Sequence, residues 1–251
     1  MSILTESDRA FFRKSGYITK TDLLTAEDRD RFLELFDRDR REHRYRWHLY
    51  GHHQRTNYDI LVTMPEIDEA IRHPGILDAV DELMGGPTCF GEIGARCMDE
   101  YAGDYHQGWH RDRPHWPDHP LRMDYIQSMI YLTDVDESTH CFSLSPESVD
   151  EEILEDKDAQ LDRGGCVDIH GPAGTVCLFN VAVLHTATTR PTTAERRTVQ
   201  IYYGHRDRAP LANDSSIPAA FWRDSADEET RGFYGVLNER TKKYMAAFME
   251  Q

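Results

Sequence analysis

The segment Tyr105-His106-Gln107-Gly108-Trp109-His110-Arg111-Asp112-Arg113-Pro114-His115-Trp116 contains a histidine and an aspartate separated by one residue. In an extended strand, His110 and Asp112 would leave the backbone on the same face and could converge on one point. A neutral imidazole and a carboxylate there could bind one metal ion. A second imidazole would complete the two-histidine, one-carboxylate triad that leaves open positions on non-haem iron(II). The segment therefore predicts a metal site that needs one more histidine from elsewhere in the chain.

His185 is the candidate for that second histidine. It follows the run Thr175–Phe179, which predicts a strand, and the apolar residues between them would carry its side chain into the interior. Eleven residues later, Arg196 and Arg197 open another predicted strand. An arginine that points into a barrel needs an anionic partner, because a buried unpaired charge is very costly. A dicarboxylic co-substrate would supply one, and a guanidinium suits bidentate carboxylate binding.

Strand signals in the second part of the chain predict a jelly roll. From Pro87 onwards, short runs rich in β-branched or aromatic residues alternate with turn signals. About eight short strands after a helical lead-in are typical of a double-stranded β-helix, or cupin-like jelly roll, with helices packed outside. The predicted fold class is mainly β with flanking helices, and the predicted strands are Phe90–Tyr101, Trp109–Asp112, Tyr125–Leu132, Cys141–Leu144, Cys166–Ile169, Thr175–Phe179 and Arg197–Tyr203.

Helix signals dominate the two ends of the chain. Thr5 with Asp8, and Thr25 with Asp28, each form a capping-box pattern before a run with helical periodicity. We find no linker, internal repeat or low-complexity tract. The sequence therefore predicts one domain, 1–251, made of a mostly helical part (1–86), a jelly-roll core (87–207) and a C-terminal helical part (208–251).

The segment from Arg46 to Leu61 is rich in histidine, tyrosine, tryptophan and arginine. Two interpretations fit this composition. The favoured one is a surface loop whose histidines are hydrogen-bonded locally, and the alternative is a lid that folds over a pocket.

Composition limits the partners. The formal net charge of −16 argues against nucleic acid or an anionic membrane surface, because both require a basic footprint. The five cysteines are scattered and never form a Cys-x-x-Cys pair, which indicates reduced thiols in a cytoplasmic protein. The N-terminus has no signal-peptide pattern, and no apolar run approaches the roughly 20 residues that span a bilayer. The predicted partner is a small-molecule substrate, and the oligomeric state stays open.

The motifs, taken in order, resemble the phytanoyl-CoA dioxygenase (PhyH) group of iron(II)/2-oxoglutarate oxygenases. The resemblance rests on the His-x-Asp pair, a second histidine 75 residues on, and an arginine eleven residues after that. Further stretches match: Phe11–Tyr17 resembles the opening "F…GY" segment, Ile126–Val135 a central strand, and Cys141–Ser148 a degenerate "PGSH" turn. The resemblance runs over nearly the whole chain to about Tyr203.

The resemblance implies roles for particular residues. His110, Asp112 and His185 would ligate iron(II) as the catalytic centre, and Arg196 would bind the distal carboxylate of 2-oxoglutarate. Arg197 should face the other side of the strand and is the rival for that role. A sixth residue, Gln127, matches a polar position inside the family's barrel. Two roles fit this position: a contact with the co-substrate or substrate, and a structural hydrogen bond.

The activity implied is that of an Fe(II)/2-oxoglutarate-dependent dioxygenase. It would oxidise an unactivated C–H bond of a polar small molecule while 2-oxoglutarate and O2 become succinate and CO2. In halogenating relatives a small residue replaces the carboxylate, so Asp112 favours hydroxylation, desaturation or oxidative ring closure. Aromatic and polar residues around the triad favour a hydroxylated or sugar-containing metabolite over a fatty acyl chain. Some bacterial relatives tailor natural products, including orthoester ring closure, but no motif here identifies that subgroup.

Two alternatives from other classes remain. A cupin-like metal enzyme that does not use 2-oxoglutarate would have no need of Arg196. A non-catalytic jelly-roll binding module would keep its ligand affinity after the substitution Asp112→Ala.

Overall fold

Two antiparallel sheets form the centre of the structure, a computed structural model that describes residues 2–249 except for the side chains of 248 and 249. The larger sheet has seven strands in the order β1-β9-β6-β11-β4-β3-β2, and the smaller has four in the order β5-β10-β7-β8. The strands are β1 Tyr17–Lys20, β2 His48–Tyr50, β3 Gln54–Asn57, β4 Thr88–Met98, β5 His106–Gln107, β6 Tyr125–Tyr131, β7 Cys141–Leu144, β8 Val167–Ile169, β9 Val176–Asn180, β10 His185–Thr189 and β11 Arg196–His205.

Helices precede, interrupt and follow these strands. They are α1 Glu6–Ser15, α2 Ala26–Glu42, α3 Ile60–Thr63, α4 Asp68–Ile71, α5 Pro74–Met84, α6 Lys157–Gly164, α7 Ala219–Trp222, α8 Glu228–Phe233 and α9 Glu239–Met249, with short 3-10 turns at Arg44–Arg46 and Pro65–Ile67. The predicted fold class, mainly β with a jelly-roll core and flanking helices, is confirmed. Within residues 2–249, no helix combines the length and the apolar character that crossing a membrane requires.

The first two long helices, α1 and α2, begin at the capping boxes that the sequence predicts. Thr5 accepts a hydrogen bond from the backbone of Asp8 while the Asp8 carboxylate accepts one from Thr5, and the same exchange occurs at the start of α2. Gly16 ends α1 in the left-handed conformation with φ of 73°. A Cβ atom at Gly16 would also lie 2.4 Å from Val183 Cγ2, so this position requires glycine for two reasons.

The larger sheet separates two kinds of environment. On β11, Val199, Ile201 and Tyr203 belong to the apolar cluster shared with the helices. The alternate residues of the strand, including Gln200 and Tyr202, line a cavity on the other face. This division follows from the two-residue period of a strand, and it recurs on β4 and β6.

A second apolar cluster holds the two sheets together. It combines Tyr131 and Phe179 of the larger sheet with Phe142 and Leu144 of the smaller one. The rings of Phe142 and Phe179 have centroids 4.6 Å apart. The cluster closes one end of the space between the sheets and leaves the other end for polar side chains.

Several element predictions need correction. The His-x-Asp segment is not a strand: β5 ends at Gln107, and His110 forms only an isolated bridge with His185. The residues after His185 form β10, a strand that its threonine-rich sequence did not reveal, and α6 was also missed. The segment from Arg46 to Leu61 contains the hairpin β2–β3, which extends the larger sheet, so the favoured surface-loop interpretation is wrong.

Candidate active site

A cavity of about 390 Å³ lies between the inner faces of the two sheets. Side chains from β4, β6, β10 and β11 line it together with the β2–β3 hairpin. The five residues that the sequence proposed for the site, His110, Asp112, Gln127, His185 and Arg196, all contribute to its wall.

Three of these residues converge on one point. His110, Asp112 and His185 each offer a ligand atom, and these atoms all lie within 4.8 Å of one another. Asp112 Oδ1 is 3.4 Å from His110 Nε2, and Asp112 Oδ2 is 3.6 Å from His185 Nε2. Two imidazoles and one carboxylate on one side of a point are the donor set of the facial triad that binds non-haem iron(II).

Backbone pairing brings these ligands together from distant parts of the chain. The backbones of His110 and His185 exchange two hydrogen bonds, of 3.0 and 2.9 Å. The Asp112 amide donates to the carbonyl of Val181 at 3.1 Å. The His-x-Asp segment is therefore bound to the start of β10 at His110 and to the turn before β10 at Asp112, without being a regular strand.

Hydrogen bonds orient both imidazoles. His110 Nδ1 lies 2.9 Å from the carbonyl oxygen of Gly108, and His185 Nδ1 lies 2.8 Å from that of Val183. A carbonyl only accepts, so each Nδ1 carries the proton and each Nε2 is left with its lone pair. Because both Nε2 atoms face Asp112, the two lone pairs point at the position a metal would take, as in the outer shell of other histidine metal sites.

The electrostatics of the triad also suit a cation. Burial raises the pKa of Asp112, but the positive charge that His185 and His110 carry when protonated outweighs it and holds the pKa well below its usual value. The hydrogen bond that a protonated His110 would donate to Asp112 raises the pKa of His110. Within the described part of the chain, the buried Asp112 Oδ2 atom has no hydrogen-bond partner. The three side chains thus present a charged carboxylate that a metal ion would satisfy.

Arg196 points into the same cavity from β11. Its residue is 2% exposed, and its Nε and Nη1 atoms have no hydrogen-bond partner among residues 2–249. Burial lowers its pKa, which reflects the cost of holding this charge away from water. A ligand carboxylate would compensate the guanidinium, because charge-assisted hydrogen bonds of this kind are strong.

Arg197 lies on the opposite face of the strand. Its Nη1 atom is 2.9 Å from both carboxylate oxygens of Asp37, and its Nε is 2.5 Å from Glu195. The two neighbouring arginines therefore differ in their partners. Arg197 forms ion pairs on the outer face of the strand, whereas Arg196, on the cavity face, has two nitrogen atoms without a hydrogen-bond partner among residues 2–249.

Gln127 joins a buried pair of glutamines. Its Nε2 donates to Gln200 Oε1 at 2.9 Å, and Gln200 Nε2 in turn is 3.3 Å from Thr198 Oγ1. Gln127 and Gln200 both line the cavity and are 2% and 3% exposed. Gln127 thus forms a structural hydrogen bond and also lines the cavity. A structural role and a contact with co-substrate or substrate are therefore both compatible with its position.

The β2–β3 hairpin covers the cavity. Tyr50, Gly51, His52 and Gln54 line it. At the turn, His52 and His53 both have positive φ, of 60° and 58°, an unfavourable conformation for residues other than glycine. Strained residues cluster at ligand-facing segments, and this hairpin is the part of the chain that the lid interpretation had proposed.

A buried ion pair that the sequence did not reveal connects the two halves of the triad. Arg111, between the two ligands of the His-x-Asp motif, donates to Glu147 Oε1 at 2.5 Å and to the carbonyl of Ala182 at 2.5 Å. Glu147 Oε1 also accepts from the Leu184 amide at 2.8 Å, and Oε2 lies 3.0 Å from His115 Nε2. We call these contacts the Arg111–Glu147 clamp. Its only sequence signal was the departure from the "PGSH" turn at Glu147.

Fold and site together define the class of non-haem iron(II)- and 2-oxoglutarate-dependent dioxygenases. The phytanoyl-CoA dioxygenase (PhyH) family profile matches residues 12–198, well over half of the chain. The chain therefore belongs to the phytanoyl-CoA dioxygenase family. Iron(II) is the cofactor of this class, and 2-oxoglutarate and O2 are its co-substrates. No match is found among curated protein sequences.

Solved structures of similar fold include enzymes with different substrates. EctD from S. alaskensis, in its apo form, is 16% identical with a TM-score of 0.69 over 87% of this chain and 83% of its own. The epimerase SnoN, in complex with Fe3+, alpha ketoglutarate and nogalamycin RO, is 16% identical with a TM-score of 0.70 over 94% and 96%. HygX from Streptomyces hygroscopicus, with nickel, 2-oxoglutarate and hygromycin B bound, is 16% identical with a TM-score of 0.62 over 89% and 95%. At this identity they show a shared fold.

Proposed function

We propose that this dioxygenase binds iron(II) through His110, Asp112 and His185 and anchors the distal carboxylate of 2-oxoglutarate on Arg196. One observation carries the proposal: the convergent triad faces the same cavity as the buried guanidinium of Arg196, whose Nε and Nη1 atoms have no hydrogen-bond partner among residues 2–249. When bound, the metal supplies the oxidising chemistry that couples conversion of 2-oxoglutarate and O2 into succinate and CO2 to oxidation of one C–H bond of the substrate.

The residues of the chain would bind the metal and its co-substrate, orient them and limit the access of water. The two imidazoles, fixed by their Nδ1 hydrogen bonds, and the Asp112 carboxylate occupy one side of the metal and leave the other side to ligands from the cavity. Gln127 and Gln200 present amide groups beside Arg196, suited to a carboxylate or a substrate hydroxyl. The β2–β3 hairpin limits the access of water, which strengthens electrostatic contacts inside.

We propose a polar small molecule, a secondary metabolite that carries sugar or other hydroxylated rings, as the substrate, which is hydroxylated, desaturated or cyclised. The cavity supports this with tyrosine, histidine and glutamine side chains beside the triad. Two proteins of similar fold were solved with the natural products nogalamycin RO and hygromycin B. The net charge of −16 disfavours a coenzyme A ester and nucleic acid as ligands.

The rest of the proposal concerns the whole chain. We propose that residues 1–251 act as one oxygenase domain, supported by the apolar cluster that α2, α5 and α8 share with the larger sheet. The five free cysteines support a cytoplasmic location.

The test is an anaerobic titration. Adding iron(II) and then 2-oxoglutarate to the protein is expected to produce a visible metal-to-ligand charge-transfer band, because 2-oxoglutarate would coordinate at the open positions. The band should be absent from the His110→Ala variant and present in a His43→Ala control, which changes a histidine outside the cavity wall. Iron binding without the band would favour the cupin-like alternative, and absence of iron binding would contradict the proposed triad.

The two neighbouring arginines give a matched pair of variants. Arg196→Ala is expected to weaken 2-oxoglutarate binding by about 10- to 100-fold, since hydrogen bonds to charged groups contribute roughly 1.5–3 kcal/mol. Arg197→Ala removes the same side chain from the outer face, where it contacts Asp37 and Glu195. It should leave the affinity within about twofold and change stability by only about 1 kcal/mol or less. The measurement is the dependence of the charge-transfer band on 2-oxoglutarate concentration, and the opposite order would reverse the assignment.

A further inference from the structure

A smaller pocket adjoins the main cavity. It has a volume of about 130 Å³, and Tyr50, Arg96, Asp112 and Tyr202 belong to the walls of both spaces. We call it the side pocket. Its far wall is formed by Tyr58, Glu92, Leu211, Ala212 and Asp214. A molecule that reaches the metal ligands through the main cavity could therefore extend part of its structure into the side pocket.

Glu92 is the unusual group in this wall. It is 4% exposed, and its Oε2 atom has no hydrogen-bond partner among residues 2–249. A buried carboxyl oxygen without a partner costs stability, so it indicates either strain or a ligand that supplies the missing donor. Burial, and then the charge of Asp214, raise the pKa of Glu92 to about 8 despite the opposing charge of Arg96. The folded chain, over residues 2–249, therefore leaves one oxygen of this carboxyl group without a hydrogen-bond partner.

Arg96 faces the same pocket with an unsatisfied donor. Its Nη2 atom donates to the Tyr58 hydroxyl at 2.9 Å, and the guanidinium carbon lies 5.0 Å from the ring centroid of Tyr50. Its Nε atom is buried and has no hydrogen-bond partner in the described part of the chain. Arg96 is thus held in place by two tyrosines, with one N–H group left to bind something else.

The strand β4 creates the space between these two groups. Glu92 and Arg96 lie on one face of the strand with Gly94 between them. A Cβ atom at Gly94 would lie 3.0 Å from Arg96 Nε. The missing side chain therefore keeps Arg96 Nε clear of a neighbour on its own strand.

We propose that the side pocket is the substrate-anchoring subsite of the enzyme and that it binds a vicinal diol of a polyhydroxylated ring through Glu92 and Arg96. A hydroxyl group both donates and accepts. One hydroxyl can therefore accept from Arg96 Nε while it or its neighbour donates to Glu92 Oε2. Tyr50, Tyr58 and Tyr202 also line the side pocket, where their rings could contact the C–H bonds of such a ligand. The carboxylate of Asp214 disfavours an anionic group at this position.

This inference rests on the proposed function, because the side pocket shares Asp112, a proposed metal ligand, with the cavity that holds the triad. The two can nevertheless fail separately. The charge-transfer band reports iron and 2-oxoglutarate, and it is expected in wild type and in variants of Glu92 alike. Loss of the band in wild type would contradict the proposed function, whereas failure of polyol binding in protein that shows the band would contradict the subsite alone.

The experiment is calorimetric titration of the anaerobic iron(II)–2-oxoglutarate complex with defined polyols. The probes are myo-inositol, methyl α-D-glucopyranoside and methyl α-D-mannopyranoside, with cyclohexanol and cyclohexylamine as comparisons. At least one of the three polyols is expected to bind, and cyclohexanol, which has no diol, at least about tenfold more weakly. Binding of none of the three polyols to the loaded protein would overturn the inference.

Variants of Glu92 distinguish a diol ligand from an ammonium ligand. Glu92→Met removes the acceptor and is expected to weaken polyol binding on the order of tenfold or more. Glu92→Gln keeps an oxygen acceptor and should stay within about threefold of wild type. The exposed Glu100→Met serves as the matched control and should change nothing. Preferred binding of cyclohexylamine that Glu92→Gln abolishes would make the subsite an ammonium site and overturn the diol assignment.

A stability measurement distinguishes a binding role from a structural one. If Glu92 is kept for a ligand, replacing this buried carboxyl, whose Oε2 has no hydrogen-bond partner among residues 2–249, with methionine should raise the Tm of the ligand-free protein by a few degrees. If Glu92 is structural, the same variant should lower the Tm, and unchanged polyol affinity together with a lower Tm would overturn the inference.

Discussion

Replacement of Asp112 by alanine is expected to lower iron(II) affinity by more than about 100-fold and to abolish the charge-transfer band with 2-oxoglutarate. Loss of an outer-shell partner already costs about 10–100-fold at metal sites, and Asp112 would be a direct ligand. The remaining imidazoles, His110 and His185, cannot supply the missing negative charge. Equilibrium dialysis of iron(II) and the anaerobic spectrum measure the two effects.

The fold should survive this substitution. Asp112 Oδ2 lacks a hydrogen-bond partner within residues 2–249, and the backbone amide of Asp112, which binds Val181, is kept in the alanine variant. Asp104→Ala, an exposed carboxylate in the same connecting segment, is the matched control and should retain wild-type iron affinity. A variant of Asp112 that still shows the band would contradict the assignment of Asp112 as a required iron ligand.

The sequence predicted which residues lie together around the cavity better than it predicted the elements that carry them. Arg196 and Arg197 illustrate what is predictable: adjacent residues of a strand must face opposite sides, and on β11 one is in the cavity and the other is on the outer surface. Hydrophobic alternation on β4, β6 and β11 obeys the same rule. Once these strands are recognised in the sequence, the alternation predicts which of their residues line the cavity.

The remaining features depend on contacts between distant residues. The His-x-Asp segment was predicted as a strand because of its spacing, but its ligands are held by an isolated backbone pair with His185 and one hydrogen bond to Val181 rather than by a ladder. The β2–β3 hairpin has a polar sequence with two histidines at positive φ, and its pairing with β4 determines its position. Local secondary-structure propensity predicts neither the bonds of the His-x-Asp segment nor the pairing of the hairpin with β4.

Glu147 is the clearest case of a residue whose role no local pattern could show. Its partners Arg111, His115 and Leu184 lie 32 to 37 residues away in the chain. Burial alone raises its pKa, but hydrogen bonds from His115 and from the Leu184 amide, with the charge of Arg111, outweigh burial and lower it. The ionised form is therefore the one that the folded protein stabilises.

Glu147→Gln is expected to reduce both stability and iron affinity. Breaking a buried ion pair leaves Arg111 without its counter-charge, which costs about 3–5 kcal/mol, or roughly 10 °C in Tm for a chain of this size. Since Arg111 separates the ligands His110 and Asp112, and Leu184 precedes His185, iron affinity should fall by about 10- to 100-fold, as for other outer-shell positions. Thermal unfolding of the metal-free protein and iron dialysis measure the two effects independently.

The double variant Arg111→Met with Glu147→Met distinguishes positioning from stability. Apolar side chains in place of a buried pair are often neutral for stability, so the double variant should recover much of the lost Tm. Its iron affinity should stay low, because Ala182 and Leu184 would no longer be tied to the His-x-Asp segment. Recovery of iron affinity together with Tm would show that the clamp only stabilises the fold.

The clamp also predicts how stability responds to acid. Because the folded-state pKa of Glu147 is lowered from the ordinary value of 4.5, its contribution is fully present above that pH and is lost as the pH falls below it. The difference in unfolding free energy between wild type and Glu147→Gln should therefore be constant at neutral pH and shrink on acidification below 4.5. Urea titrations at a series of pH values measure it. A difference that persists unchanged in acid would mean that the glutamine variant is destabilised by packing and not by loss of the charge.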